Sequence, residues 1–307
     1  MKIITWNTQW CRGLDGQVSV ERIVNQARAM ANFDVLCLQE IASGFDAMPG
    51  QPGDQPAQLQ ALLPDHQVFF GAAVDEFDSV GKHQRFGNLV ATRLPVVRVE
   101  HHPLPWPADP SVPSMPRMCS VVTMQAPGVG AIRVMTTHLA YYSGLQRMAQ
   151  VQSLRYLHQE ACDLAMTPMA TGEGDSPFRN REHTPHAVLC GDFNFVPKTK
   201  EYTKLQEPFQ STVYSHAPLM ASNAKDYCWH DAWPLVHGHT PHEPTFSVYD
   251  QTYSPEPTTC DFMFVSQSLA NRVVRLSVEI NTKASDHQPL LLELSNHPPA
   301  KPGAFKM

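Results

Sequence analysis

The chain has no excess of basic residues, no Cys-x-x-C pair and no apolar run of membrane-spanning length. Its 23 lysines and arginines stand against 29 acids, a formal net charge of −6 with a pI near 6.2. Without a global positive field, nothing holds the protein non-specifically on nucleic acid or an anionic membrane surface, so any basic groove has to be local. The seven cysteines, at positions 11, 37, 119, 162, 190, 228 and 260, are scattered and odd in number, and Cys37 and Cys190 lie inside apolar runs. They read as reduced core residues. Met1 to Asn7 enters a strand pattern at once and leaves no room for a signal peptide's apolar segment. The expectation is a cytoplasmic protein with no stable membrane insertion.

What is present is a globular chain of 307 residues, 42% of them hydrophobic, enough for a large core. Ile3 to Trp6 reads as a strand, and Val20, Ile23, Val24, Ala27 and Met30 recur at helical spacing behind Ser19 as N-cap. Val35 to Leu38 is a short continuous apolar run, the signature of a strand buried on both faces. Ala57 to Leu63 reads as a helix stopped by Pro64. Val68–Gly71, Gly87–Thr92, Val96–Val99, Met118–Gln125 and Ile132–Thr137 read as strands between Pro- and Gly-bearing turns. Leu145 to Leu164 carries the clearest 3.6-residue rhythm. Further strands are expected at Val188–Cys190, Asp261–Val265, Val273–Glu279 and Leu290–Leu294, and a short helix at Asp226–Val236. The polar stretch Thr167 to Pro185 reads as a mobile insertion. No composition break divides the chain, so one α/β domain is expected over residues 1–295, with a disordered tail over 296–307.

The chemistry sits at the strand ends. Glu40, Asp192, Asp261 and Asp286 each follow or begin an apolar strand, where a half-shielded carboxylate is costly unless it is paired or binds a cation. One such acid is commonly a cap or turn former. Four of them, accompanied by Asn7, Asn194 and two histidines, point to a site. Oxygen donors without a Cys/His cluster suit a hard ion, Mg²⁺ or Mn²⁺, better than zinc. His138 closes a strand and His287 adjoins Asp286, so both are candidates for proton transfer or for donating to a developing oxyanion. His237, His239 and His242 read instead as a solvated turn.

Six short motifs occur in a fixed order: Thr5-Trp6-Asn7, Leu38-Gln39-Glu40, Thr137-His138-Leu139, Gly191-Asp192-Phe193-Asn194, Asp261 to Ser266, and Ser285-Asp286-His287. With Gly87-Asn88 and Arg93-Leu94-Pro95 between them, the sequence from Ile3 to about Leu294 resembles the endonuclease/exonuclease/phosphatase superfamily of deoxyribonuclease I-like proteins. The resemblance implies a four-layer α/β/β/α sandwich, in which two mixed β-sheets pack face to face with helices outside. It implies Glu40 as the principal metal ligand with Asn7 and Asp286 beside it, and Asp192 and Asn194 positioning water and a phosphate oxygen. It further implies that Asp261 orients His287 and that His138 donates to the phosphate or leaving oxygen. Whether Asp192 or His287 is the base stays open.

Asn88, Arg117 and Arg147 are candidate substrate contacts, with Gln150 one turn from Arg147. Trp229, Asp231 and Trp233 read as core and cap residues of a short helix rather than a stacking platform. The implied activity is divalent-metal-dependent phosphodiester hydrolysis, on nucleic acid or a nucleotide-derived ester. The alternative is a lipid or inositol-phosphate phosphoesterase of sphingomyelinase type, against which the lack of an amphipathic anchor speaks. A binding module that has lost catalysis would lack one of Glu40, His138, Asp192 or His287, and none is missing.

Overall fold

The computed structural model describes residues 1–166, 181–209 and 227–297. The expected insertion at 167–185 falls mostly, and the expected tail almost wholly, outside the described residues. Two six-stranded sheets pack against each other. In chain order the strands of the first are β1 (Lys2–Asn7), β2 (Val35–Ser43), β3 (Gln67–Phe77), β4 (His83–Thr92), β11 (Val273–Val278) and β12 (Leu290–Leu294). The second holds β5 (Val96–Pro103), β6 (Met118–Ala126), β7 (Gly130–His138), β8 (Ala187–Asp192), β9 (Trp229–Asp231) and β10 (Asp261–Ser266). Their spatial orders are β11-β12-β1-β2-β4-β3 and β5-β6-β7-β8-β10-β9.

Alternation along each strand sorts side chains into layers. Ile3, Val35 and Cys37 face the second sheet and meet Val122, Val134, Val188 and Met263 in the inter-sheet core. Ile4, Trp6, Leu36 and Leu38 face outward, onto Ile23, Val24 and Ala27 of α1 (Val20–Met30) and Leu59 of α2 (Gln55–Leu62). On the far side Cys119, Met135, Leu189 and Phe264 receive Val151 and Leu154 of α3 (Gly144–Met166) and Leu205 of α4 (Lys200–Gln206). Helices therefore cover both outer faces, and the continuous apolar run at Val35–Leu38 has a partner for every side chain. Ser19 caps α1 by accepting from the Arg22 amide.

The helix expected over Asp226–Val236, whose first residue lies outside the described ones, is corrected. Trp229 to Asp231 form an edge strand paired with Ser266 to Phe264, and only Ala232–His237 is helical, as α5. Trp229 and Asp231 are buried while His230 between them is half-buried, a period of two that belongs to a strand. Asp231 then caps α5 through the Trp233 amide. The short α4 and a turn of 3₁₀ helix at Gln267–Arg272 were not expected from the sequence.

Candidate active site

Strand direction delivers the polar residues to one edge. β1 and β2 run parallel and pair Asn7 with Gln39; β7 and β8 run parallel and pair His138 with Asp192. The antiparallel β10 begins where β8 ends, so Asp261 pairs with Asp192. Likewise β12 begins opposite the end of β1, which brings the loop carrying Ser285, Asp286 and His287 beside Asn7. Two hydrogen bonds lock that loop down: Trp6 Nε1 donates to the His287 carbonyl at 2.9 Å, and Ser285 Oγ donates to the Asn7 carbonyl at 2.8 Å.

Three backbone irregularities aim the side chains. A bulge in β2 between Leu38 and Ile41 puts Glu40 at φ 61°, turning its carboxylate out of the sheet. Gly191 sits at φ 134°, and a Cβ there would lie 1.9 Å from the Thr137 carbonyl oxygen, so the close approach of β7 and β8 requires glycine. Asn194, at φ 52°, donates its amide to Asp192 Oδ1 at 2.9 Å and its side chain to the Leu139 carbonyl at 2.9 Å.

At the centre lies Asp192, 2% exposed. Its Oδ2 is 3.0 Å from Asn7 Nδ2, 3.4 Å from His138 Nε2 and 3.8 Å from His287 Nε2. Asn7 Nδ2 also reaches Glu40 Oε1 at 3.1 Å, while Asn7 Oδ1 accepts the Gln9 amide. The residue expected to offer an oxygen ligand thus stands as a donor between two carboxylates. Asp286 accepts from Gln9 Nε2 at 2.9 Å. Asp261 Oδ2 lies 2.8 Å from His287 Nδ1, and the Phe246 ring packs tilted against the imidazole, centroids 4.5 Å apart.

The charges divide the roles. Burial together with the Asp286 charge raises Glu40 to about 7. Burial and Asp261 raise Asp192 to about 6, and Asp286 is also raised, first by burial. Burial works against a charged His287, but Asp261, Asp192 and Asp286 outweigh it and lift the imidazole to about 10. His138 is pushed well below the usual range by burial and by the positive charges of Arg117 and His287. These shifts favour a charged His287 and a neutral His138, and they hold the acids back from ionising fully near neutral pH.

Glu40 and Asp286 offer the carboxylate oxygens that a hard divalent cation takes, and both are raised first by burial, a cost that a bound cation would offset. Asp192, Cys260 and His287 also place one potential ligand atom each within 4.8 Å of one another. That trio mixes a thiol and an imidazole with one carboxylate, a donor set that suits a softer ion than Mg²⁺ or Mn²⁺.

A cavity of about 290 Å³ opens over this floor, lined by Glu40, Arg117, His138, Asp192, Asn194, Asp286 and His287 together with Gln9 and a rim of aromatic residues. Of the expected substrate contacts, Arg117 lies in the wall, 8% exposed, with Nε and Nη1 unpartnered. Asn88 and Arg147 are not among the lining residues. Asn88 is buried and donates to the Met118 carbonyl, tying β4 to β6. Arg147 donates to the carbonyls of Ala140 and Tyr141 at 2.8 and 2.9 Å and pairs with Glu201, so its guanidinium holds the loop after β7. Gln150 works with it, accepting the Ala140 amide at 2.9 Å.

The histidine turn is only partly solvated: His242 reaches Asp231 at 2.7 Å and stacks on Trp233, and His237 packs on the same indole. Sequence reading missed Gln9, Trp10, Tyr141, Tyr142 and Tyr253 at the cavity. The signal for two of them was adjacency: Tyr141-Tyr142 follows His138 closely in an otherwise unpatterned loop.

The chain belongs to the Endonuclease/Exonuclease/phosphatase family, which it matches over residues 4–287. Its members are hydrolytic phosphoesterases, and that is the class to which fold and family assign this protein. No curated protein matches it. Among solved structures it is similar to an endonuclease/exonuclease/phosphatase from Beutenbergia cavernae, at 25% identity and TM-score 0.63, covering 96% of this chain and 72% of that one. It shares its fold with a mannosyl-6-phosphatase from Bacteroides thetaiotaomicron, at 16% identity and TM-score 0.62 over 96% and 99% of the two chains. A 3′ phosphatase from Neisseria bound to a product DNA hairpin is similar at 19% identity and TM-score 0.54, over 96% and 99%. Among the described residues no helix is long and apolar enough to cross a membrane.

Proposed function

We propose that the protein is a divalent-metal-dependent phosphodiesterase acting on nucleic acid or on a nucleotide-derived ester. The observation that carries this reading is the convergence of two imidazoles on Asp192 Oδ2, His138 at 3.4 Å and His287 at 3.8 Å, in a cavity that Glu40 and Asp286 also line. Glu40 and Asp286 would hold Mg²⁺ or Mn²⁺. Such an ion, when bound, supplies positive charge to the phosphoryl and leaving oxygens.

The chain's own groups do the rest. Asp192, ionised above about 6, is the better placed base for the attacking water, because a proton acceptor works best when its pKa lies near the operating pH. His287, protonated up to about 10 and held by Asp261, is a hydrogen-bond donor to the equatorial oxygens rather than a base. Neutral His138 can donate one N–H to the phosphate or leaving oxygen. Asn194, fixed by Asp192 and Leu139, orients the water, and Arg117 faces the phosphate from the wall. The buried thiols of Cys11, Cys37, Cys119, Cys190 and Cys260 fit a reducing, cytoplasmic setting.

The test is a panel of chromogenic phosphodiester, single- and double-stranded DNA, RNA and sphingomyelin, each with Mg²⁺, Mn²⁺ or EDTA. Metal-dependent cleavage of the diester or the nucleic acids is expected, with none in EDTA. Cleavage of sphingomyelin alone would overturn the reading in favour of a lipid phosphoesterase.

A further inference from the structure

Beside the catalytic cavity lies a second one of about 240 Å³, lined by Pro113, Met115, Arg117, Tyr141, Tyr142 and Gln146 among others. Met115, Arg117, Tyr141 and Tyr142 line both, so the two are lobes of one recess with Arg117 at the junction. Both walls of the side lobe are held by the start of α3. Arg147 and Gln150 fix the backbone of Ala140 and Tyr141. Gln146 donates to the Pro107 carbonyl at 2.9 Å and to Ser114 Oγ at 3.2 Å, anchoring the proline-rich loop opposite. The Tyr141 hydroxyl donates to the Tyr253 carbonyl at 3.0 Å, and Tyr142 meets Tyr141 edge-on at 4.7 Å. Tyr142 nevertheless stays 58% exposed, an aromatic face held in position with nothing packed over most of it.

We propose that this side lobe is the specificity subsite, and that it takes the planar heteroaromatic base of a small nucleotide-type phosphoester stacked on Tyr142. The inference rests on the phosphoesterase reading and narrows its substrate. Three features of the recess favour a single base over a polymer backbone. Among the described residues, Arg117 is the sole arginine or lysine lining either lobe, whereas a groove that tracks successive phosphates needs several cations. The walls are tyrosine, methionine and proline, which favour a flat apolar face over a hydroxyl-covered sugar. Gln146, 1% exposed, has an Oε1 without a partner, and a heterocyclic N–H is the kind of donor that such an acceptor lacks. Arg147 and Gln150 become positioning residues for this subsite, since they hold the loop on which both tyrosines stand.

The experiment compares adenosine 5′-monophosphate with ribose 5-phosphate, which differ only in the base, by calorimetric titration of Mn²⁺-loaded full-length His287→Ala protein so that turnover does not intrude. Base–aromatic stacking is worth about 1–3 kcal/mol, so the adenine compound should bind roughly 5- to 150-fold more tightly. Adding Tyr142→Ala should erase that advantage, Tyr142→Phe should keep it, and ribose 5-phosphate should bind alike in all three. Equal affinity for the two compounds, or an equal loss for both in Tyr142→Ala, overturns the subsite while leaving the phosphoesterase reading intact. If neither compound binds and the active protein hydrolyses no phosphoester, the reading itself falls and the subsite with it.

Discussion

The two sheets are built on one plan and deliver different chemistry. Each consists of a central parallel pair flanked on both sides by an antiparallel pair: β11-β12 and β4-β3 about β1-β2, and β5-β6 and β10-β9 about β7-β8. In the second sheet the parallel pair ends in register on His138 and Asp192, and both reach the site. In the first, the equivalent register pair is Asn7 and Gln39, yet Gln39 turns inward, fully buried, and donates to Thr5 and Thr136 across the inter-sheet core. The acid comes one residue later. Side chains alternate along a strand, so without the bulge Glu40 would point to the opposite face from Gln39, into the layer under α1. The bulge at φ 61° is what turns it to the strand ends. A one-residue irregularity thus separates a glutamine of the inter-sheet core from a glutamate at the cavity.

The largest effects should come from the two residues that each sheet commits. Asp192→Asn and Glu40→Gln should each lower kcat/KM by about 10³-fold, as expected for losing a base or a charge-bearing ligand. Thermal unfolding of the metal-free proteins should meanwhile stay close to wild type, because each change is isosteric and replaces a carboxylate that burial already makes costly to ionise. A variant that keeps most of its turnover removes that residue from the site. The exchange Gln39→Glu/Glu40→Gln sharpens the contrast: it keeps composition but buries a carboxylate with only two hydroxyls as partners. It should be inactive and destabilised by several kcal/mol, read from denaturant midpoints. Restored activity would mean that the bulge does not decide which of the two residues faces the site.

Two pH-dependent measurements separate the contributions further. Glu40, raised to about 7, must release a proton before it binds a cation. The rise in melting temperature caused by Mn²⁺ should therefore be full above pH 7 and shrink as pH falls below it, and Glu40→Gln should show little rise at any pH. His287 is shifted upward, so its charge stabilises the fold fully below the imidazole's ordinary value of about 6.5, and that stability is lost as pH climbs toward about 10. Between pH 7 and 9 the metal-free wild type should lose stability, and Asp261→Asn, lacking the main partner, should lose less. Parallel curves would mean that Asp261 does not hold the imidazolium. The smallest effect belongs to Gln39→Leu. Its Oε1 has no partner, so removing the amide costs two hydrogen bonds and also abolishes one buried unsatisfied acceptor. A change within about 1 kcal/mol is expected in equilibrium unfolding.

Much of this was legible from residue pattern. The run Val35–Leu38 announced a strand buried on both faces, and the helical spacing of Val20 to Met30 behind Ser19 announced α1, because each rests on a local pattern. Glu40, His138, Asp192, Asp286 and His287 could be picked out because polar residues interrupt apolar strands at a cost that only function or pairing repays. Arg147 and Asn88 could not be judged in the same way. An arginine on a helix reads alike whether it meets phosphate or a carbonyl, and here the loop fold brought the Ala140 and Tyr141 carbonyls to it. The edge strand β9 was hidden for a similar reason, since Trp229 to Asp231 gain strand character only from pairing with β10.

By itself the sequence determined the layered α/β class and the identity of the acids and imidazoles, since these follow from the spacing of apolar residues and from where polar ones break it. Only the tertiary structure decided which of Gln39 and Glu40 faces the site, which nitrogen or oxygen of Asn7 meets the carboxylates, and which aromatic residues wall the recess. Those outcomes depend on backbone turns and through-space fields among residues far apart in the chain, such as Trp6 and His287, 281 positions apart, and no local pattern encodes them.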